Sequence, residues 1–310
     1  MTAASAARPP VTRPSGQRHH RDPRRVAMHV FLIGISLVWL FPLLWTVYQA
    51  FRPYYETSDK GFLSLPDTIT INNFTTAWTQ ADLPRYFLNT LVIVVPAVLL
   101  VLFLASMMAF AVSRYSWRFN LVFLLLFTAA NLLPPQVIIT PLYRIFLRLW
   151  LPTDVGVPGL PSDNGLFYQQ YIGIIAIHVA FQLGFCTFVL SNYMKTIPRE
   201  LNEAAIVDGA SIWKTYRSVV LPLTRPALAA LATLQVTWVY NDFFWALVLM
   251  AGKGSKMPIT SALNALRGQF FTDYNLLAAG AVLVAIPTLI VFFALQKQFI
   301  SGLTLGSTKG

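Results

Sequence analysis

Two groups of polar residues have types and spacing that suit binding or catalysis. Glu200, Glu203 and Asp208 lie beside five basic residues in a stretch over 195–226, here named the charged segment. Asp242, next to Asn241, is the only acid within a long apolar stretch. The charged segment could bind another protein or lipid headgroups. An ionisable residue inside a membrane is by default a candidate functional residue.

The motifs of nucleotide, metal and redox chemistry are absent from the sequence. No stretch matches the phosphate-binding pattern G-x-x-x-x-G-K-[ST], because the glycines and lysines over 252–256 lack that spacing. No H-E-x-x-H, cysteine pair or acid cluster suggests a metal. The single Cys186 cannot form an intramolecular disulfide, and we expect His19 and His20 to lie in a solvated arm. The sequence predicts no catalytic residue, metal or cofactor in this chain.

The composition indicates that the chain lies in a membrane. Of the 310 residues, 56% are hydrophobic and only 11% are charged, and the mean hydropathy is +0.59. Soluble domains carry roughly 25% charged residues, so this chain could not cover a folded surface of its size in water. Soluble enzymes, nucleic-acid binders and disordered proteins are excluded, and the sequence indicates a polytopic membrane protein.

Six apolar stretches are long enough to cross the hydrocarbon core, which takes about 20 residues. The first is longer than the core of a signal peptide, roughly 7–15 residues, and no Ala-x-Ala-like site follows it, so we expect it to be retained. We predict an all-α fold with six transmembrane helices, over Met28 to Ala50, Asn89 to Val112, Asn120 to Leu142, Tyr171 to Tyr193, Ala227 to Met250 and Leu276 to Ile300.

The basic residues set the orientation of these helices. With the N-terminus in the cytoplasm, fifteen of the 23 Lys and Arg residues fall on the inner side, and seven of the twelve acids fall in outer loops. Both termini are therefore expected inside, and the net charge of +11 needs no nucleic-acid partner. We predict a disordered basic arm over 1–26, a membrane domain over 27–300 that contains the charged segment, and a cytoplasmic tail over 301–310.

The charged segment has a helical local code although it cannot span a bilayer, where each charge costs roughly 2.5–3.5 kcal/mol at the centre. Pro198 suits a first helical turn, Gly209 is a natural helix stop, and Ser211 can cap a second helix. The small residues Ala204 and Ala205 would let another surface approach closely. The second helix would have one apolar face, formed by Ile212, Tyr216, Val219 and Val220. Taken alone, an ordinary loop on lipid headgroups explains the segment equally well.

The charged segment also contains a recognisable motif. Glu203-Ala204-Ala205, followed by Gly209 and Leu221-Pro222, resembles the EAA loop of ABC-importer permeases. From about residue 28 the chain is similar to the carbohydrate-uptake class of these binding-protein-dependent permeases, particularly the smaller permease subunit of maltose-type importers. Further matching stretches are RYFLNT over 85–90, AFAVSRY over 109–115, Trp238 with Asn241-Asp242-Phe243, and the terminal residues 302–310.

This resemblance implies a type I importer permease fold and a coupling role for the charged segment. In the family, the EAA helix docks in a groove of a cytosolic ATPase, which the C-terminal tail also reaches. Glu203 is then a polar anchor, the two alanines form the close-approach face, and the glycine forms the bend. The complete coupling set is Glu203, Ala204, Ala205, Asp208, Gly209, Leu221 and Pro222.

The resemblance also implies the partners of the chain. They are a second, related permease subunit, two ATPase subunits that bind ATP and Mg²⁺, an extracytoplasmic sugar-binding protein, and the lipid of a bacterial inner membrane. The outer loop over 143–170 is longer than the usual connection, which puts binding-protein contacts there in doubt. The outer stretch over 251–274 would either probe the binding protein or merely connect two helices.

Our hypothesis is that a substrate path is lined by Trp238, Asn241, Asp242 and Trp245. Aromatic faces cover the C–H patches of sugars, while amides and carboxylates hydrogen-bond their hydroxyls. Alternatively, Asp242 joins its helix to a neighbour or caps a broken helix. We expect His178 to be a hydrogen-bonded core residue rather than a proton relay. Prolines within the predicted spans can mark kinks: Pro96, Pro134, Pro135 and Pro287.

Other functions stay open at this stage. One is a proton- or sodium-driven carrier, which would need a better ion site than one Asp. Another is a membrane enzyme acting on lipid-linked sugars, which would need clustered charges at one membrane face. An ABC importer of a non-sugar solute, such as glycerol phosphate, would share the same permease type.

Overall fold

The structure is a computed structural model that describes residues 23–115, 117–131, 133–149, 167–250, 256–267 and 272–304. Within these ranges all regular secondary structure is helical, as the predicted all-α class requires. Residues 1–22 of the predicted basic arm, 305–310 of the predicted tail and 150–166 of the long loop lie outside the described residues. The chain divides into two units, residues 1–46 and 47–310.

The first unit consists of most of helix α1, Pro23–Ala50. Its apolar side chains are exposed all around the helix, which is typical of a membrane span. Ser36 donates to the carbonyl of Leu32 at 2.7 Å, and Thr46 donates to that of Pro42 at 2.8 Å. These bonds satisfy the hydroxyls without water, so the helix needs no polar neighbour at those positions.

The second unit begins with two short helices and one long one. They are α2 (Tyr54–Lys60), α3 (Asn72–Gln80) and α4 (Leu83–Arg114). Pro84 stands in the first turn of α4, where its missing N–H is harmless. The helix then runs for 32 residues and is apolar enough to cross a membrane.

The third predicted span, Asn120 to Leu142, is wrong as a single helix. The structure has α5 (Asn120–Ala130) and α6 (Pro135–Phe146) instead. The break falls at Pro134-Pro135, because a proline lacks an N–H and pushes the preceding residue out of helical conformation. Pro135 then occupies the first turn of α6.

Helix α7 (Tyr171–Thr196) is the main partner of α4. At the centre of α7, Gly184 permits the close approach of a third helix, α5. A Cβ on Gly184 would stand 2.1 Å from the carbonyl oxygen of Phe127 on α5, a distance that no side chain tolerates. The sequence thus holds α5 against α7 through backbone contact.

The charged segment contains α8 (Glu200–Val207), α9 (Ile212–Thr215), a π-helical turn (Tyr216–Val220) and α10 (Leu221–Leu223). The chain then bends by 73° into α11 (Arg225–Tyr240). The fifth predicted span, Ala227 to Met250, is also wrong as one helix, because α11 ends at Tyr240 and α12 (Phe244–Leu249) follows a break over 241–243.

Helix α13 (Ile259–Ala262), a 3₁₀ turn (Leu263–Leu266) and the long helix α14 (Tyr274–Thr304) complete the described chain. The backbone N–H of Ile259 donates to Thr90 on α4 at 2.8 Å, which holds α13 against the beginning of that helix. Within the described residues, four helices are long and apolar enough to span a membrane: α1, α4, α7 and α14. Counting the bent pair adds a fifth, so the predicted number of six is not confirmed.

The second unit has two apolar cores along its length. One lies at the charged-segment end and joins α4, α7 and the beginning of α11; its buried residues include Val101, Cys186, Leu190 and Leu231. The other lies toward the opposite end and joins α4, α7, α12, α13 and α14. Since α4 and α7 contribute to both cores, they form the frame that positions the charged segment and the break at Asp242.

Candidate functional site

Helix α8 projects from the second unit with none of its residues buried. Val207 is 86% exposed and Ile206 is 56% exposed, and Ile212 and Trp213 beyond the bend are also exposed. The acidic residues Glu200, Glu203 and Asp208 lie among these apolar residues, so the segment is too charged to be a lipid-facing span. An exposed apolar patch rimmed by polar residues is typical of a protein interaction site.

The end of α8 has a defined geometry at Gly209. Its φ is +75°, a left-handed conformation that glycine adopts without steric cost. The Gly209 N–H donates to the carbonyl of Ile206 at 3.0 Å, and the Ala210 N–H donates to that of Ala205 at 2.9 Å. This pair of bonds forms a Schellman motif, and the predicted helix stop at Gly209 is confirmed.

The second helix of the charged segment begins as predicted but turns differently. Ser211 caps it by accepting from the N–H of Lys214 at 3.3 Å. Tyr216 and Val220 are buried, whereas Ile212 is 64% exposed, so the predicted single apolar face is wrong for Ile212. Ile212 is the first residue of α9, whereas the buried contact with α4 is made one turn later, at Tyr216.

Tyr216 fastens the charged segment to the membrane helices. Its hydroxyl lies 2.7 Å from the hydroxyl of Ser106 on α4, and its ring centroid lies 5.4 Å from that of Phe110. Both Tyr216 and Ser106 are buried. A projecting helix is therefore connected to a long membrane helix through a fixed contact.

The structure places the predicted coupling residues in two groups. Glu203, Ala204, Asp208 and Gly209 are exposed on α8 and its end, and Ala205 is half-buried beside them. Leu221 and Pro222 are half-buried in α10, immediately before the 73° bend. One group is available to a partner, and the other lies where the segment joins the spans.

Asp242 lies in the break between α11 and α12. Its carboxylate accepts from the N–H groups of Trp245 at 3.3 Å and Ala246 at 3.2 Å, which are unpaired donors in the first turn of α12. Its carbonyl accepts from Thr260 at 2.6 Å. This geometry is that of a cap on a broken helix, one of the alternatives for this residue.

The neighbours of Asp242 form a polar seam between α7 and the α11–α12 break. Its Oδ2 lies 3.6 Å from Nε2 of His178 on α7, and His178 is buried. One turn further along α7, Oε1 of Gln182 accepts from Gln235 on α11 at 3.2 Å. Sequence reasoning missed this seam, although the four-residue spacing of His178 and Gln182 places both on one helix face.

The four residues of the predicted substrate path are not equally accessible. Trp238 and Asn241 are exposed and Asp242 is half-buried, but Trp245 is buried with its ring 5.3 Å from that of Phe181. In this conformation Trp245 faces the core. A substrate path through these residues stays a prediction.

A second buried ionic group lies at the end opposite the charged segment. Arg52 is fully buried, and its Nε lies 3.7 Å from the carboxylate of Glu56. That carboxylate accepts from the N–H groups of Asp67 at 3.1 Å and Thr68 at 2.9 Å, and from the Thr68 hydroxyl. The Thr68 hydroxyl bond lowers the pKa of Glu56 most, and burial opposes the shift.

This ionic group fixes the loop between α1 and α3. Arg52 also donates to the carbonyls of Gly61 and Glu56, and Asn275 on α14 donates to Gln49 and Thr57. Sequence reasoning missed this ionic group, although the four-residue spacing of Arg52 and Glu56 is that of a helical ion pair. Among the described residues, no group of three or more His, Cys, Asp or Glu could hold a metal ion.

Long apolar helices together with an exposed surface helix are typical of a membrane-embedded protein. The family of binding-protein-dependent transport system inner membrane components matches residues 101–304. A probable ABC transporter permease of Pyrococcus horikoshii is 32% identical over 87% of this chain and 92% of that protein. The chain belongs to this family of ABC transporter permease subunits.

Two further comparisons agree with this assignment. The arabinooligosaccharides transport system permease protein of Halalkalibacterium halodurans is 30% identical, over 89% of this chain and 93% of that protein. A crystal structure of a bacterial ABC transporter that imports alginate matches with a TM-score of 0.73 and 22% identity, over 93% of this chain and 100% of the matched chain. The latter shows a shared fold.

Proposed function

We propose that this chain is one permease subunit of an ATP-driven sugar importer in a bacterial inner membrane. Membership of the binding-protein-dependent permease family carries the proposal. A relative of 30% identity is named for arabinooligosaccharide transport, which supports a sugar as the substrate. In this arrangement both termini are cytoplasmic, and the broken pairs α5–α6 and α11–α12 each count as one span, which gives six.

The charged segment is the coupling element in this proposal. Its exposed surface on α8, with Ile206 and Val207 at its end, would dock on a cytosolic ATPase. The buried contact of Tyr216 with Ser106 would then pass the movement of the ATPase to α4. ATP and Mg²⁺ would bind to the ATPase subunits, and this chain would alternate between inward- and outward-facing states.

The assembly is completed by a second permease subunit and an extracytoplasmic binding protein. The family description, binding-protein-dependent, supports the latter. Trp238, Asn241 and Asp242 would line part of the sugar path once α11 and α12 move, because Asn241 and Asp242 stand at the break and Trp238 lies in the last turn before it. Trp245 would join them only if its packing against Phe181 opens.

Co-purification tests the proposal directly. A tagged full-length chain, solubilised in detergent from its native cells, should bring down an ATPase and a second permease identifiable by mass spectrometry. Closed vesicles of the same membrane should also take up labelled arabino-oligosaccharide when ATP is present. A chain that emerges alone and still transports would contradict the subunit function.

An ion-driven carrier is the second candidate, because buried His178 on α7 and half-buried Asp242 at the α11–α12 break form an ionisable pair. The two candidates differ in their energy source. Uptake should survive an uncoupler while ATP is held constant if the chain serves an ATP-driven importer. Loss of uptake under that condition would favour the carrier.

A further inference from the structure

A cavity of about 300 Å³ opens at the charged-segment end of α4 and α7. It is lined by three cations, Arg114, Lys195 and Arg199, by Asn120, and by apolar residues that include Leu121 and Leu124. Its volume is at the lower limit of small-molecule sites, about 300–1,000 Å³. We name it the basic cavity.

Two residues that line the basic cavity have polar atoms with unmet hydrogen bonds. Arg114 donates through Nη1 to the carbonyl of Ile197 at 3.1 Å, but its Nε and Nη2 are buried with no partner. Asn120 donates to the carbonyls of Val112 and Tyr115, yet its Oδ1 is also buried with no partner. Since buried polar groups are normally paired, these side chains lack acceptors for two nitrogens of Arg114 and a donor for one oxygen of Asn120.

The charges of the basic cavity are not balanced by the protein. Its lining contains no Asp or Glu. Among the ion pairs of the described residues, none includes Arg114, Lys195 or Arg199. Glu200 and Glu203 follow Arg199 on α8 but are exposed and do not line the cavity. An anion is the ligand that suits this arrangement.

The position of the basic cavity indicates where the anion comes from. The apolar helices α4 and α7 end here, at Arg114 and Thr196, so the cavity lies at the boundary between membrane and water. Leu121, 68% exposed, stands at the start of α5 on the same rim. A ligand that is itself held in the membrane reaches this boundary with its charged group already in place.

We propose that the basic cavity binds the headgroup of an anionic phospholipid of the phosphatidylglycerol type. The phosphodiester faces Lys195 and Arg199, and it accepts from Nε and Nη2 of Arg114 once that side chain turns toward the cavity. A headgroup hydroxyl donates to Oδ1 of Asn120, a bond that a lipid without a headgroup hydroxyl cannot make. Basic pockets between membrane helices are typical headgroup sites. The proposal depends only on the chain being a membrane protein.

Lipid retention by the full-length chain tests this assignment. The purified chain in mixed micelles is given phosphatidylglycerol, phosphatidylmethanol or phosphatidylcholine, and bound lipid is counted by native mass spectrometry. Each basic residue near an anionic headgroup contributes about fivefold in affinity. Retention should rank phosphatidylglycerol first, phosphatidylmethanol next because it lacks the hydroxyl, and phosphatidylcholine last.

Variants at exposed positions keep the test independent of folding. Lys195→Gln with Arg199→Gln should weaken phosphatidylglycerol binding about 25-fold, from about fivefold per charge. Lys214→Gln with Arg217→Gln removes two exposed charges from the same charged segment without touching the cavity, and should leave retention unchanged. Arg114→Gln should abolish selective retention in a chain that still elutes as a single species.

Three results would overturn the proposal. Equal retention of phosphatidylglycerol and phosphatidylcholine would remove the headgroup site. Displacement of the lipid by inorganic phosphate at equal concentration would assign the cavity to a soluble anion. An assembled complex that retains no phosphatidylglycerol, while the isolated chain does, would show that an acidic partner surface occupies the cavity.

Discussion

At the scale of single residues, Asp242 and Arg52 show how ionisable groups are accommodated in this apolar chain. Asp242 accepts two backbone N–H groups at the start of α12, so its polar atoms satisfy a helix that has been interrupted. Arg52 is fully buried and donates to two carbonyls and to Ser64. In both cases the side chain satisfies backbone groups that the absence of continuous helix leaves unpaired.

Glu56 gives this arrangement a pH dependence. Because its hydrogen bonds lower its pKa in the folded protein, its contribution to stability is present above the ordinary carboxyl pKa of about 4.3. That contribution is lost as the pH falls through the lower pKa of the folded state. The loop over 52–68 should therefore become sensitive to protease as the medium is acidified.

Thr68→Val tests which bond is responsible. The substitution removes the hydroxyl that lowers the Glu56 pKa most, so the loop should be less protected at neutral pH and should lose less protection on acidification. Limited proteolysis from neutral to acidic pH measures both. Thr70→Val is the matched control, since Thr70 makes no bond to Glu56; an identical profile for the two variants would contradict the role of Thr68.

At the scale of elements, the sequence predicts helical segments better than it predicts their continuity. The stop at Gly209 and the cap at Ser211 are local codes, and both appear in the structure. Pro134 and Pro135 mark a kink in the sequence, and a cap on a broken helix is one alternative for Asp242, but apolar composition alone merges each pair of helices into one span. Proline supplied a local signal for the first break, whereas the second depends on contacts of Asp242 with α12 and α13.

The π-helical turn and the buried contacts lay beyond sequence reasoning for a different reason. Ile212 is exposed because it lies before Tyr216, and it is Tyr216 that packs on Ser106 and Phe110 of α4. Likewise, the basic cavity brings together residues from α4, α5, α7 and the start of α8. Such long-range pairings have no periodic signature in a single sequence.

The end of helix α8 allows a prediction about an element. Gly209→Ala should destabilise the Schellman end by about 1–2 kcal/mol, because a left-handed conformation costs that much for a residue with a Cβ. No atom lies within 4 Å of the added Cβ, so the effect comes from the backbone alone. Amides over 208–210 should exchange with deuterium about 5- to 30-fold faster.

The matched variant is Gly209→Asn, since asparagine adopts the left-handed conformation more readily than alanine. Its amides should exchange at rates between those of the wild type and Gly209→Ala. The same exchange rates in alanine, asparagine and glycine versions would show that the helix end does not depend on this conformation.

At the scale of the whole molecule, the exposed surface has two kinds of apolar area. The side chains of α1, α5 and α14 are exposed along helices with almost no charge, as lipid or another apolar helix requires. Those of Ile206, Val207, Ile212 and Trp213 are exposed among acidic and basic residues. The second kind suits an aqueous protein partner, which is where the proposed ATPase would bind.

Val207→Asp separates insertion into the membrane from docking. A charge at a position that is 86% exposed should leave the fold intact. If Val207 is a central anchor, the charge should weaken the ATPase complex at least about 30-fold, because such anchors contribute at least about 2 kcal/mol. Leu65→Asp, 83% exposed in the loop between α2 and α3, changes an equally exposed apolar residue far from the charged segment. Wild-type, Val207→Asp and Leu65→Asp chains should therefore reach the membrane in equal amounts. Only the Val207→Asp chain should fail to co-purify the ATPase and fail to take up sugar. Equal retention of the ATPase by all three chains would place the docking surface elsewhere.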